Sequence, residues 1–195
     1  MLDVLCHAVE SFWSVHSTEE SRKLSLEALD LFRLHRRDYL KGTGSGNAGM
    51  MYAANVAGQA INITRTTAAH AMCYKLTTLY GMPHGYAAAL CLPHVWRFMN
   101  QHMEAVSDPR GREYLSGVFQ QLAVLLTGRG EAEIEDGITS VENLLSELEL
   151  ETPVPDAEEE LYVLAGSVNA QRLGNNPVAL SKKDLENIYR NILHI

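Results

Sequence analysis

Asp3, His7, His70 and His84 are the side chains whose types and spacing point most directly to chemistry. One carboxylate and three imidazoles form a plausible ligand set for a divalent transition metal. Asp3 and His7 are four residues apart, so on a helix they share a face, separated by about 40°. His70 lies in an Ala-rich, uncharged segment where an unpaired imidazole has little to bond with. His84 follows the break Gly81-Met82-Pro83 and precedes Gly85, which marks a helix start. Spacing alone leaves a plainer alternative open. A histidine on an apolar face is usually a satisfied core residue, and Asp-x-x-x-His also arises by chance. His94, after Pro93, is a further candidate for lining a pocket. His16, His35, His102 and His194 stand in polar or helix-end contexts and read as surface residues.

The elements that must position these groups read as helices. Leu2, Leu5, Val9 and Phe12 share a face at helical spacing, with Asp3, His7 and Glu10 in an adjacent stripe. Ser17-Thr18-Glu19-Glu20 reads as a capping box, Ser17 at N-cap and Glu20 at N3. The helix it opens ends around Leu40. Residues 42–49 read as a flexible glycine-rich interhelical loop, followed by a helix from about Met50 to Ala60. Their literal G-x-G-x-x-G (Gly44 to Gly49) lacks the preceding strand and the downstream acid of a dinucleotide fingerprint, so that reading is rejected. Thr66-Thr67 could cap a helix from Ala68 to about Tyr80. From His84 a helical stretch runs to Pro93, with a resumption through Met103. Asp108 to Gly111 and Gly174 to Pro177 read as turns. Periodic apolar residues predict helices around Tyr114–Leu126 and Ile134–Leu148, from about Asp156 through Val168, and after an N-cap at Ser181. No persuasive alternating strand pattern occurs, so the expected fold class is an all-α multi-helix bundle.

The length of 195 residues suits one domain, or one half of a two-domain enzyme. No apolar run reaches the roughly 18 residues needed to span a bilayer. No basic region followed by an apolar one opens the chain, so no signal peptide is expected. Cys6, Cys73 and Cys91 are odd in number and lack CxxC spacing, which argues against disulfides and thiolate zinc. Buried reduced thiols in a cytoplasmic protein are expected. A net charge of −8 argues against generic nucleic-acid binding. No acid occurs between Asp38 and Glu104, and Lys41, Arg65, Lys75 and Arg97 give that stretch +4, leaving −12 for the remainder. The stretch is either largely buried or the site of a pocket for an anionic ligand, and the two are compatible.

These residues resemble a known family. Asp3-Val4-Leu5-Cys6-His7-Ala8-Val9-Glu10 is similar to the D-A-L-x-H-A-x-E motif of the iron-containing (group III) alcohol dehydrogenases. His70 with His84-Gly85 resembles that family's H-x13-H-G, and Asn176-Pro177 with Asp184 to Tyr189 resembles its C-terminal end. The resemblance covers essentially the whole chain. It implies the all-helical C-terminal domain of the dehydroquinate synthase-like/iron alcohol dehydrogenase type, as a single metal- and substrate-binding domain over residues 1–195. Asp3, His7, His70 and His84 become the implied ligands of Fe2+, or of Zn2+. The implied activity is NAD(P)-linked alcohol oxidation or aldehyde reduction on small molecules. The NAD(P)-binding α/β domain is expected to lie outside this chain, no cofactor-binding residue is assigned within it, and a homodimer is allowed.

Two departures and one finer likeness matter. Val4 replaces the motif's usual Ala. Tyr74 stands where many members carry a second His, and is a candidate for bonding a substrate oxygen. The run from Asn62 to His70, with Tyr74 to Thr77, is most similar to the branch containing phosphonoacetaldehyde reductases. Arg65 and Lys75 are then candidates for holding a phosphonate, against the alternative of solvated helix-end charges. A helical metal-binding module without redox activity of its own, or a metal-dependent hydrolase, are the competing functional classes.

Overall fold

The computed structural model describes residues 1–155 and 157–195. Ten α-helices occur among them, in the order α1 (Leu2–Trp13), α2 (Glu19–Leu40), α3 (Gly44–Thr64), α4 (Ala68–Tyr80), α5 (His84–Gln101), α6 (Gly111–Thr127), α7 (Ile134–Glu147), α8 (Glu159–Gly166), α9 (Ala170–Leu173) and α10 (Lys182–Leu193). No strand occurs among the described residues, and one isolated antiparallel bridge joins Val106 to Val178. The all-α expectation holds.

Helix α1 lies at the centre. Its apolar residues Val4, Leu5, Ala8, Val9, Phe12 and Trp13 are buried, and it packs against α2, α3, α4, α5 and α6. Trp13 meets Trp96 of α5 and Phe119 of α6 edge-on, each pair with ring centroids 5.9 Å apart. This offset geometry suits the ring quadrupoles and adds to the burial of large apolar area. Helix α10 closes the bundle, where the buried Tyr189 hydroxyl donates to the Met72 carbonyl at 2.7 Å. No described helix is long and apolar enough to cross a membrane. The three cysteines are free and buried, as expected.

Several local expectations are corrected. Residues 42–49 are not a loop. Helix α3 begins at Gly44 with Thr43 as its cap, so only Lys41, Gly42 and Thr43 link it to α2. The reason is tertiary. A Cβ on Gly46 would collide with the backbone of Asp38 and Tyr39, and one on Gly49 with the His35 ring. The glycines permit close approach of two helices rather than flexibility. The same contact makes His35 half-buried rather than a surface residue. The α2 capping box uses Thr18 and Ser21, one residue later than Ser17 and Glu20. Helix α5 runs unbroken past Pro93 to Gln101, with a 3-10 turn from Met103 to Ala105 beyond it. An internal proline costs a helix about 3 kcal/mol, and here burial of Leu90, Leu92, Val95, Trp96 and Met99 around it offsets that cost. The helix expected from Asp156 starts on a residue outside the described ones, and α8 runs over Glu159–Gly166. The Ser181 N-cap of α10 is present, as a full capping box with Asp184.

Candidate metal centre

Asp3 and His7 stand one turn apart on α1, as their spacing requires, and α4 lays His70 alongside them. One ligand atom each from Asp3, His7 and His70 fall within 4.8 Å of one another. His70 Nε2 is 3.2 Å from Asp3 Oδ1, and His7 Nδ1 is 3.8 Å from Asp3 Oδ2. The His7 and His70 rings stack, with centroids 4.7 Å apart and planes inclined by 16°. His84, the first residue of α5, stands beside this group rather than within it. Its ring centroid is 5.3 Å from that of His70, and Cys73 Sγ is 3.6 Å from its Nδ1. Gly85 allows this placement, since a Cβ there would come within 3.0 Å of Asp3 Cβ and of its backbone nitrogen. A side chain there would make Asp3 or the start of α5 give way by a few tenths of an ångström.

Glu10 organises the centre from beneath. It is fully buried on the same stripe of α1 as Asp3 and His7. Its Oε1 accepts from the Thr67 N–H at 3.0 Å, the Thr67 hydroxyl at 2.7 Å and the His70 N–H at 3.2 Å. Its Oε2 takes a short hydrogen bond from His70 Nδ1. Trp13 Nε1 donates to the Thr67 hydroxyl at 2.9 Å, so Trp13, Thr67, Glu10, His70 and Asp3 form one buried polar chain. Thr67 precedes α4, as expected, but makes no side-chain cap of its own. The carboxylate from α1 replaces it and serves the orphan N–H groups of the first turn. With Nδ1 committed to Glu10, the His70 ring offers Nε2 to the cluster. A carboxylate holding the far side of a ligand histidine is a common support of metal sites.

The electrostatics match. The hydrogen bond from His70 holds the Asp3 carboxyl at about 2, despite partial burial, so it is ionised at neutral pH. Burial lowers the His7 imidazole, with the charge of His70 acting the same way, and favours the neutral form that binds metals. Burial alone would lower His70 as well, but the Glu10 and Asp3 carboxylates overcome it and raise His70 to about 9. Burial opposes ionisation of Glu10, and the His70 charge with the bonds from His70 and Thr67 outweighs it, leaving that carboxyl below its ordinary value. An ion held here would take the place of the proton that His70 shares with Asp3. The donor set therefore fits a divalent metal. Both Glu10 oxygens are engaged in hydrogen bonds, so the carboxylate that the hydrolytic alternative would use as general base is already committed.

The remaining candidates separate. The Tyr74 ring is 5.3 Å from the His84 ring and the residue is 41% exposed, on the open side of the centre. Above it lies Arg172, with Cζ 4.6 Å from the Tyr74 centroid. Arg65 lines a cleft of about 610 Å³ together with Arg172. Lys75 is half-buried and not among the residues lining that cleft. His94 stands apart from the centre, among Glu142, Arg97 and His194. Sequence reasoning missed the parts played by Glu10 and Arg172. Glu10 was visible as part of the α1 stripe, whereas nothing in the sequence joins Arg172 to Tyr74.

Comparison with known proteins identifies the family. Residues 1–193 match the family model described as the Fe-containing alcohol dehydrogenase family, C-terminal. A phosphonoacetaldehyde reductase from Streptomyces viridochromogenes is 32% identical over 152 residues, covering 72% of this chain and 37% of that protein. A 1,3-propanediol dehydrogenase from Klebsiella pneumoniae is 35% identical over 99 residues, covering 50% of this chain and 26% of its own length. The crystal structure of an iron-containing alcohol dehydrogenase from Thermotoga maritima superposes with a TM-score of 0.78 at 30% identity, over 100% of this chain and 48% of that one. The chain thus spans half or less of the length of these relatives, and it belongs to the C-terminal part of the Fe-containing alcohol dehydrogenase family.

Proposed function

We propose that this chain is the metal- and substrate-binding part of a metal-dependent, NAD(P)-linked alcohol dehydrogenase or aldehyde reductase. The observation that carries the reading is the convergence of Asp3, His7 and His70 within 4.8 Å, braced by the buried Glu10. Asp3, His7, His70 and His84 would hold Fe2+, or Zn2+ in its place. The bound ion supplies Lewis acidity toward a carbonyl oxygen, and NAD(P), held by a domain outside this chain, supplies the hydride chemistry. The residues here do the rest. Asp3 contributes the negative charge of the ligand set. Glu10 and Thr67 fix the His70 ring. Trp13, Thr67 and Glu10, fully buried and joined by hydrogen bonds, keep water from the inner side of the cluster. Tyr74, half-exposed beside His84, would bond a substrate oxygen.

The substrate proposed is a small anionic aldehyde such as phosphonoacetaldehyde. The acid-free stretch with Arg65 and the 32% identity to a phosphonoacetaldehyde reductase support it. By itself, at 48% of the length of its solved relative, the chain reads as a metal-binding module without redox activity. The test has two parts. Elemental analysis after reconstitution with Fe2+ or Zn2+ is expected to give close to one equivalent, and less than about a tenth would sink the site. NADH oxidation with phosphonoacetaldehyde is expected to be negligible for the chain alone. Clear turnover would overturn the need for a second domain.

A further inference from the structure

The cleft that Arg65 and Arg172 line is basic and carries no acid. Asn62, Arg65, Thr66, Gln171, Arg172 and Asn175 line it, with Gly58 and Ile61, and none of these is a carboxylate. Neither Arg65 nor Arg172 has an ion-pair partner among the described residues. Arg172 is nevertheless held in place. Its Nη1 donates to the Thr66 hydroxyl at 2.7 Å, and its guanidinium lies 4.6 Å over the Tyr74 ring. A guanidinium fixed on two sides without a carboxylate is preorganised for an anion that comes from outside.

Arg65 adds an independent sign. It ends α3 with φ 64° and ψ 163°, a region close to glycine-only. Strain of this kind persists where the surroundings over-determine it, and it concentrates at functional sites. Here it sets an arginine in the wall of the cleft where glycine would relax the backbone.

Arg172 links the cleft to the cluster through Tyr74. The Tyr74 ring neighbours both groups, 4.6 Å from the Arg172 guanidinium and 5.3 Å from the His84 ring. The guanidinium is therefore no farther from the His84 ring than those two spacings laid end to end. A short chain with an oxyanion at one end and a carbonyl at the other spans that interval.

We propose that Arg172, assisted by Arg65, is the specificity-determining group that selects substrates with a tetrahedral oxyanion head. The inference rests on reading the neighbouring cluster as a carbonyl-reducing metal centre. It goes beyond that reading by assigning the recognition of charge to α9, which contributes nothing to the cluster.

Calorimetric titration of the zinc-loaded chain tests it, with 2-hydroxyethylphosphonate as the anionic probe and its dimethyl ester as the neutral one. The anion is expected to bind at least tenfold tighter than the ester. Arg172→Met is expected to remove at least tenfold of the anion affinity while leaving the ester and the zinc stoichiometry unchanged. Arg65→Met is expected to cost severalfold, and it serves if the first variant fails to fold by circular dichroism. Equal binding of anion and ester by the wild type, or wild-type anion affinity in a folded Arg172→Met or Arg65→Met chain, overturns the proposal. Measuring the zinc stoichiometry of the wild type beside these titrations separates the two claims. Loss of zinc binding sinks the metal reading, whereas an anion preference that ignores the arginines sinks this one.

Discussion

Glu10 shows what a single buried carboxylate does for a candidate metal centre. The sequence places it on the stripe of Asp3 and His7, and there its legibility ends, because its partners lie 57 and 60 residues away. In the fold it orients His70, caps α4 and completes the hydrogen bonding of Thr67. Glu10→Gln keeps the size but removes the charge, and its amide must place a donor where an acceptor is needed. Metal affinity is expected to fall about 10- to 100-fold, the usual cost of losing such a support. Competition against a chromogenic chelator measures it, and unchanged affinity would mean that Glu10 is only a cap. His70→Ala, which removes a proposed ligand outright, is expected to lower affinity further while leaving most of the helical signal intact.

At the scale of elements, the contrast between α10 and α3 explains what could be read in advance. The start of α10 is announced by Ser181 and Asp184, residues whose hydrogen bonds are local, and the structure contains that capping box. The start of α3 is hidden, because Gly44, Gly46 and Gly49 read locally as breakers. Their value lies in the approach to α2, and that contact is tertiary. Pro93 misleads in the same way, since its cost is local and the burial that offsets it is not. Among the site residues, the Asp3–His7 spacing and the His84-Gly85 pair were legible, while the four-residue α9 that carries Arg172 left no periodic trace. Two variants test the close approaches. Gly46→Ala forces its Cβ into the α2 backbone, and urea unfolding should show a loss of about 1–3 kcal/mol; a neutral result would refute the tight α2–α3 crossing. Gly85→Ala pushes α5 away from Asp3 and is expected to weaken metal binding more than it weakens the fold, as read by chelator competition beside urea unfolding.

For the whole molecule, the acid-free stretch that carries +4 in a chain of net −8 is in large part a buried one, as one of its two readings expects. Its α4 and α5 portions are largely buried, and Arg65 opens into the cleft. The distribution also limits how the molecule tolerates acid. Arg97 is balanced by Glu135 and Glu142 at 2.5 and 2.7 Å. His94, one turn before it on α5, is largely enclosed. Burial is the main cause that lowers His94 to about 4, with Arg97 and His194 acting the same way and Glu142 opposing them. Its proton affinity is thus lower in the folded chain than in the unfolded one, where an imidazole titrates near 6.5. Above pH 6.5 both states are neutral and the group has no effect. Between 6.5 and 4 the unfolded chain binds the proton first, so stability falls as pH falls, and below 4 the loss is complete. At about 1.4 kcal/mol per pH unit the loss is on the order of 3 kcal/mol. Urea unfolding of metal-free protein at pH 7.5 and 4.5 should show it. His94→Gln, which keeps a polar side chain but cannot titrate, should flatten that part of the profile, and an unaltered slope in this variant would place the acid sensitivity elsewhere.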